Sequence, residues 1–152
     1  MGPRPRPPEE RFWKKVDKIG PVPTHRPDLG RCWLWTGSTR STPPYGQFRV
    51  GSMTDGTRRV MPAHQFSYEV VNGPVPPHRQ IDHLCRVPLC VNPDHLEAVT
   101  QRTNILRGTS PSAAHAARTH CPQGHPYDLV NTYFRPDGSR DCRACQRTKV
   151  AS

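Results

Sequence analysis

Two sets of cysteine and histidine at metal-ligand spacing constrain this chain more than any other feature of its sequence. Cys85, Cys90 and His95 stand at C-x4-C-x4-H, while Cys121 and His125 form a C-x3-H knuckle answered by Cys142-x2-Cys145. Tetrahedral zinc takes thiolate and imidazole donors at such spacings without penalty for irregular backbone, so both sets read as structural Zn2+ sites. The second is complete in itself, with Pro122 and Gly124 allowing its tight turn. The first needs a fourth ligand. Cys32 is the one cysteine not otherwise assigned, and His64 is the alternative.

The rest of the composition makes such staples necessary. Among 152 residues only 33% are hydrophobic, 19 are proline and 11 glycine, and the mean hydropathy is -0.79. Burial alone is then a weak offset to the entropy of ordering the chain. The length fits one domain, or one domain with a small appendage. The opening MGPRPRPPEERFWKK has no apolar signal-peptide core and no stretch is long enough to span a membrane, so metal is favoured over disulfides. The expected location is cytoplasmic, in the host cell if the chain is phage-encoded, with no membrane partner.

Lys and Arg total 22 against 12 Asp and Glu, for a formal charge of +10. Two zinc ions on six thiolates would still leave about +8. A polyanion is the natural partner, and nucleic acid is the commonest one. Eighteen of the basic residues are Arg, which suits forked contacts to phosphate.

Residues 1–8 read as a disordered basic arm, because alternating prolines prevent helix and sheet pairing. PEERFWKKVDKI predicts an amphipathic helix opened by Pro8, with Phe12, Val16 and Ile19 on one face. CWLWTG and YGQFRVG read as two strands joined by STRSTPP, and Trp33, Trp35 and Phe48 as core and sheet-face residues. RRVMPAHQFSYEVVNG begins as a strand and becomes a helix from Ala63 to Asn72-Gly73. VPPHRQIDHL looks like a strand, and Leu96, Val99, Thr103 and Leu106 suggest a helix ending at Gly108. The expected organisation is a domain over 9–108, a linker over 109–118 and a small zinc finger over 119–149 with a hairpin at Pro136-Asp137-Gly138.

Once zinc has taken its ligands, Asp82, His83, Asn92, Asp94, Glu97 and Asn104 remain around the first loop. His83 directly precedes that loop, where a staple would hold a general base rigid. Asp82 and Asn104 offer oxygen donors suited to a hard cation such as Mg2+. Asp94 and Glu97 read as helix-capping and first-turn residues.

The segment IDHLCRVPLCVNPDHLEAVTQRTN, preceded by CWLWTGS, YGQFRV and AHQFSYEVVNG, resembles the HNH endonucleases of the His-Me finger (ββα-metal) superfamily, of phage and homing type. The zinc loop and the 21-residue step from His83 to Asn104 are also similar to the His-Cys box homing endonucleases. The resemblance covers roughly residues 10 to 108, and the CPQGH to CRAC tail resembles the zinc finger that often follows such domains. It implies an α+β fold: a small zinc-stapled ββα-metal nuclease core with short antiparallel strands, plus a C-terminal zinc finger. It also implies that His83 activates water for attack on a phosphodiester of double-stranded DNA. Asp82 and Asn104 would bind one catalytic Mg2+ or Mn2+, and Asn92 would hold the loop by hydrogen bonds to backbone. Two departures stand out: the third motif letter is Asn104 rather than His, which favours Mg2+ over softer metals, and Gln65 replaces an expected Arg.

An arginine that clamps phosphate must then come from elsewhere, and Arg49, Arg58, Arg59, Arg86, Arg102 and Arg107 are the candidates for DNA contact. The reading is a metal-dependent endonuclease that leaves a 5′ phosphate and a 3′ hydroxyl, as monomer or homodimer. The rival readings are a non-catalytic zinc-stapled DNA-binding protein and an RNA-directed nuclease.

Overall fold

Short apolar runs separated by prolines become short elements in the computed structural model, which describes residues 6–40 and 44–150. Most of the expected basic arm, residues 1–5, lies outside the described residues, as do residues 41–43 of the STRSTPP loop. The architecture is α+β with short antiparallel strands, and the chain divides into two compact units, one ending at Asn104 and the other beginning at Ile105.

In the first unit α1 (Pro8–Trp13) is opened by proline and drops Phe12 into the core, where it is fully buried. The Phe12 ring lies 4.9 Å from Trp35, 5.1 Å from Phe48 and 4.8 Å from Phe66, each by centroids. Burying each such ring contributes roughly 1.5–3 kcal/mol, so this cluster carries much of a small apolar core. Gly46 is part of the fit: a Cβ there would stand 2.5 Å from Trp35 Cδ1.

The predicted helix over 8–19 stops early. Val16 and Asp17 form β1 (Val16–Asp17), paired antiparallel with β2 (Leu34–Trp35), and Ile19 is 78% exposed. A helix of three turns is marginal without tertiary support, and the sheet pairing of Val16 with Trp35 wins. CWLWTG and YGQFRVG each supply a strand, as the sequence predicts, but the two do not pair with each other. β3 (Gln47–Val50) pairs instead with β4 (Arg59–Pro62).

From β4 the chain passes directly into α2 (Ala63–Asn72), as the sequence predicts, and Gly73 ends it with φ 81° while its N–H bonds to the Glu69 carbonyl. β5 (Arg79–His83) then pairs along its whole length with β6 (Leu96–Thr100), and α3 (Gln101–Arg107) follows. The expected helix from Leu96 is therefore half strand. Leu96 and Val99 are buried in the hairpin, and Thr100 Oγ1 accepts from the Thr103 N–H at 3.1 Å, marking the helix start. Strand, strand and helix thus form a ββα unit whose hairpin connection is the zinc-type loop.

In the second unit the stretch expected as a linker contains α4 (Pro111–Ala117), capped by Ser110. Arg140 donates to the carbonyls of His115, Ala116 and Arg118, fastening that segment to the hairpin of β7 (Thr132–Phe134) and β8 (Arg140–Cys142). α5 (Arg143–Val150) closes the unit.

Candidate active site and metal centres

Cys85, Cys90 and His95 all lie in the β5–β6 connection, and Cys32 meets them from the approach to β2. Their ligand atoms lie within 4.8 Å of one another and all four residues are buried. The fourth position is taken by Cys32; His64 stands elsewhere. Backbone pairing explains the approach of Cys32: Trp35 N–H bonds to the Leu89 carbonyl, and Val91 N–H bonds to the Trp33 carbonyl at 2.7 Å.

The donor chemistry fits a closed zinc site, with three sulfurs and one imidazole nitrogen. His95 Nε2 donates to the Leu29 carbonyl at 2.8 Å, so its Nδ1 carries the lone pair and faces Cys32 and Cys90 at 3.6 and 3.5 Å. A hydrogen bond from Cys90 pulls the Cys85 thiol down to about 5, while burial pushes Cys32 up to about 11. Zinc would displace the remaining thiol protons.

This loop also aims His83. The ring is 8% exposed, and its Nε2 lies 3.0 Å from the Cys90 carbonyl. A carbonyl only accepts, so Nε2 carries the proton and Nδ1 keeps its lone pair. Burial holds the His83 pKa below its usual value, opposed by the Cys85 thiolate and the Cys90 carbonyl.

A cleft of about 190 Å³ is lined by Tyr45, Asp82, His83, Arg86 and Asn104, among others. Asp82, only 3% exposed, accepts from Arg86 at 2.9 Å. Asn104 donates its amide nitrogen to Gln80 at 3.1 Å, which leaves the amide oxygen as the group to offer a cation. The carboxylate and amide oxygens suit a hard divalent ion. Asn92 stands outside this cleft and does a different job: its Nδ2 donates to the Arg31 carbonyl at 3.0 Å and its Oδ1 accepts from Asp94 N–H at 3.1 Å. It therefore ties the loop to the segment that carries Cys32. Asp94 lies in a 3-10 turn rather than capping a helix, and Glu97 sits in β6 opposite Asp82.

Of the six arginines proposed from sequence, Arg86 alone lines this cleft. Arg49 lies in a separate groove with Arg6, Arg11, Lys14 and Lys15. Arg58 and Arg59 are exposed at the start of β4, Arg102 is exposed on α3, and Arg107 belongs to the second unit. Sequence reasoning missed Tyr45 and the position of His64. The His64 ring lies 4.8 Å from His83 and 5.6 Å from Tyr45 by centroids, and burial pushes its pKa down to about 4. The only sequence signal for this trio is its concentration of rings before the loop, which gives no pairing.

The second cluster joins Cys121, His125, Cys142 and Cys145, again within 4.8 Å. Asn131, unnoticed in the sequence, supports it: its Nδ2 donates to Pro126 O and to Cys142 Sγ, and its Oδ1 accepts from Ala144 N–H at 2.8 Å. Both clusters could hold zinc, and neither offers an open ligand position for chemistry.

Comparison with known proteins agrees with the resemblance read from the motif. The profile of the HNH endonuclease family matches residues 62–106, which run from the end of β4 through the zinc-type loop into α3. The chain is also similar to the uncharacterized gene 5.3 protein of Enterobacteria phage T3, at 28% identity over 76 residues, covering 50% of this chain and 75% of the relative. No solved structure matches.

Proposed function

Taking residues 62–106 as an HNH endonuclease segment, we propose that the chain is a metal-dependent, phage-type endonuclease that hydrolyses phosphodiesters of double-stranded DNA. The observation that carries this reading is the bond from His83 Nε2 to the Cys90 carbonyl. It gives a buried histidine one fixed tautomer, and the same ring lines a cleft that also holds a carboxylate and an amide.

His83 Nδ1 takes a proton from water as its oxygen attacks phosphorus, the bond to the 3′ oxygen breaks, and that oxygen takes a proton from solvent, leaving a 5′ phosphate and a 3′ hydroxyl. Asp82 and Asn104 would hold one Mg2+ or Mn2+, which supplies charge neutralisation at the crowded phosphate and the leaving oxygen. Asp82 accepts its hydrogen bond from Arg86 in the described structure. A cation on Asp82 would release that guanidinium toward the incoming phosphate, which makes Arg86 the favoured clamp among the six arginines. The two zinc ions stay structural.

Incubation of zinc-loaded protein with supercoiled plasmid, with and without added Mg2+, tests the reading. The expected outcome is nicked or linear product only with Mg2+, and Asn104→Ala raising the Mg2+ concentration required. Tight DNA binding with no cleavage at any Mg2+ concentration would instead favour a DNA-binding protein built on a nuclease scaffold.

A further inference from the structure

Beside the cleft just described lies a second cavity that the hydrolytic scheme does not use. It has a volume of about 330 Å³, and its walls include Arg40, Tyr45, Gln47, Met61, His64 and Ile81. Tyr45 and Ile81 line both cavities, so the two adjoin across the tyrosine ring. Gln47 in turn also lines the basic groove that holds Arg11, Lys15 and Arg49. All three hollows belong to the first unit, and shared lining residues link the Asp82–His83 cleft through the middle cavity to the cationic groove.

The middle cavity has the chemistry of a nucleobase site. Tyr45 offers an aromatic face, Met61 and Ile81 offer apolar contact, and Gln47 can both donate and accept. His64 lines the same cavity, and its Nδ1 is buried with no hydrogen-bond partner among the described residues. A buried polar atom left in this way is costly, and a ligand with its own donors and acceptors would satisfy it. The Tyr45 ring lies 6.0 Å from the His83 ring, so the cavity is within reach of the nucleotide next to a phosphate held at His83.

We infer that this cavity receives one unstacked base adjacent to the scissile phosphate, so that the enzyme favours DNA with an unpaired nucleotide at the cut. The inference rests on the nuclease reading above. A base inside a duplex is stacked and paired and cannot enter such a recess without being extruded. A mismatched or bulged base has already met most of that cost. Phosphates farther along the same strand then fall to Arg11, Lys15 and Arg49.

The test compares two end-labelled DNA duplexes that differ only in one central bulged nucleotide, cut by the full zinc-loaded chain in Mg2+. The expected result is cleavage concentrated at the phosphate beside the bulge, about tenfold or more faster than in the perfect duplex, which matches the worth of one base–aromatic stack. Tyr45→Ala should bring that ratio toward one, and Tyr45→Phe should keep it. Equal rates on both substrates, or a ratio untouched by Tyr45→Ala at normal zinc content, would overturn the inference. A parallel measurement separates its failure from that of the nuclease reading: 2-aminopurine as the bulged base, titrated with wild-type protein without added Mg2+. Quenching that Tyr45→Ala loses supports the base site even if neither duplex is cut. Equal fluorescence changes in the wild type and Tyr45→Ala refute it.

Discussion

His83 lines the cleft, and the bond from its Nε2 to the Cys90 carbonyl leaves Nδ1 as the basic nitrogen of the ring. In the proposed function the neutral ring is the base, and burial lowers its pKa below the usual 6.5. Protonation abolishes the base, so activity is full above that pKa and falls as the pH drops through it. The acid limb of the rate–pH profile for DNA cleavage should therefore have its midpoint below 6.5, and a midpoint above that value would contradict the assignment. The residues of this site that were legible in the sequence are those whose type and spacing carry chemistry: His83, the four-residue steps of the zinc loop, and Asn92. Tyr45 and the true place of His64 were not, because only the β3–β4 pairing and the start of α2 bring these rings to His83. The bond between Arg86 and Asp82 was hidden for a related reason. Its four-residue spacing is ordinarily a helical signal, and here it spans a strand end and a turn where Arg86 has φ 57°.

Sequence pattern places the first strand and the loop of the ββα unit but predicts helix where the second strand lies. Leu96, Val99, Thr103 and Leu106 satisfy a helical period over a window too short to separate it from alternation. What decides the matter is five backbone pairs with β5, which no local pattern announces. Thr100 marks the change, since its hydroxyl oxygen accepts the Thr103 N–H and starts the helix that carries Asn104. Thr100→Val keeps the shape and removes the cap. The expected cost is about 1 kcal/mol of stability, visible as a lower urea midpoint, and an unchanged midpoint would mean that the cap does not set the start of α3. α2 was placed correctly from sequence because its stop signal is a glycine that the backbone requires at positive φ.

Among the described residues, apolar burial gathers in small clusters. In the first unit one is a group of aromatic and aliphatic side chains around Phe12, and another consists of Cys32, Cys85 and Cys90 with Leu29, Leu34 and Val87 packed on them. The second of these is itself the cluster that could hold zinc, so a bound ion would stand where a larger domain has more core. Zinc binding in small domains is worth roughly 10–16 kcal/mol, which rivals the entire stability of a typical domain, about 5–15 kcal/mol. Removing zinc with a strong chelator should abolish cooperative thermal unfolding, and readdition of zinc should restore it. A sharp transition retained in the metal-free protein would show that burial suffices. The two clusters that could hold zinc are readable from cysteine and histidine spacing. The docking of 115–118 onto Arg140 is not, because three carbonyls converging on one guanidinium leave no trace in a run of alanines.

The proposed function requires that a loop stapled by zinc present His83 as the base of a DNA endonuclease. The most direct measurement is the rate of Mg2+-dependent plasmid cleavage by wild type and His83→Ala, compared at equal zinc content and equal DNA affinity. Loss of about 10²- to 10⁴-fold in rate is predicted, the usual worth of a general base. Cleavage by His83→Ala within a few-fold of wild type, at matched zinc, would contradict it.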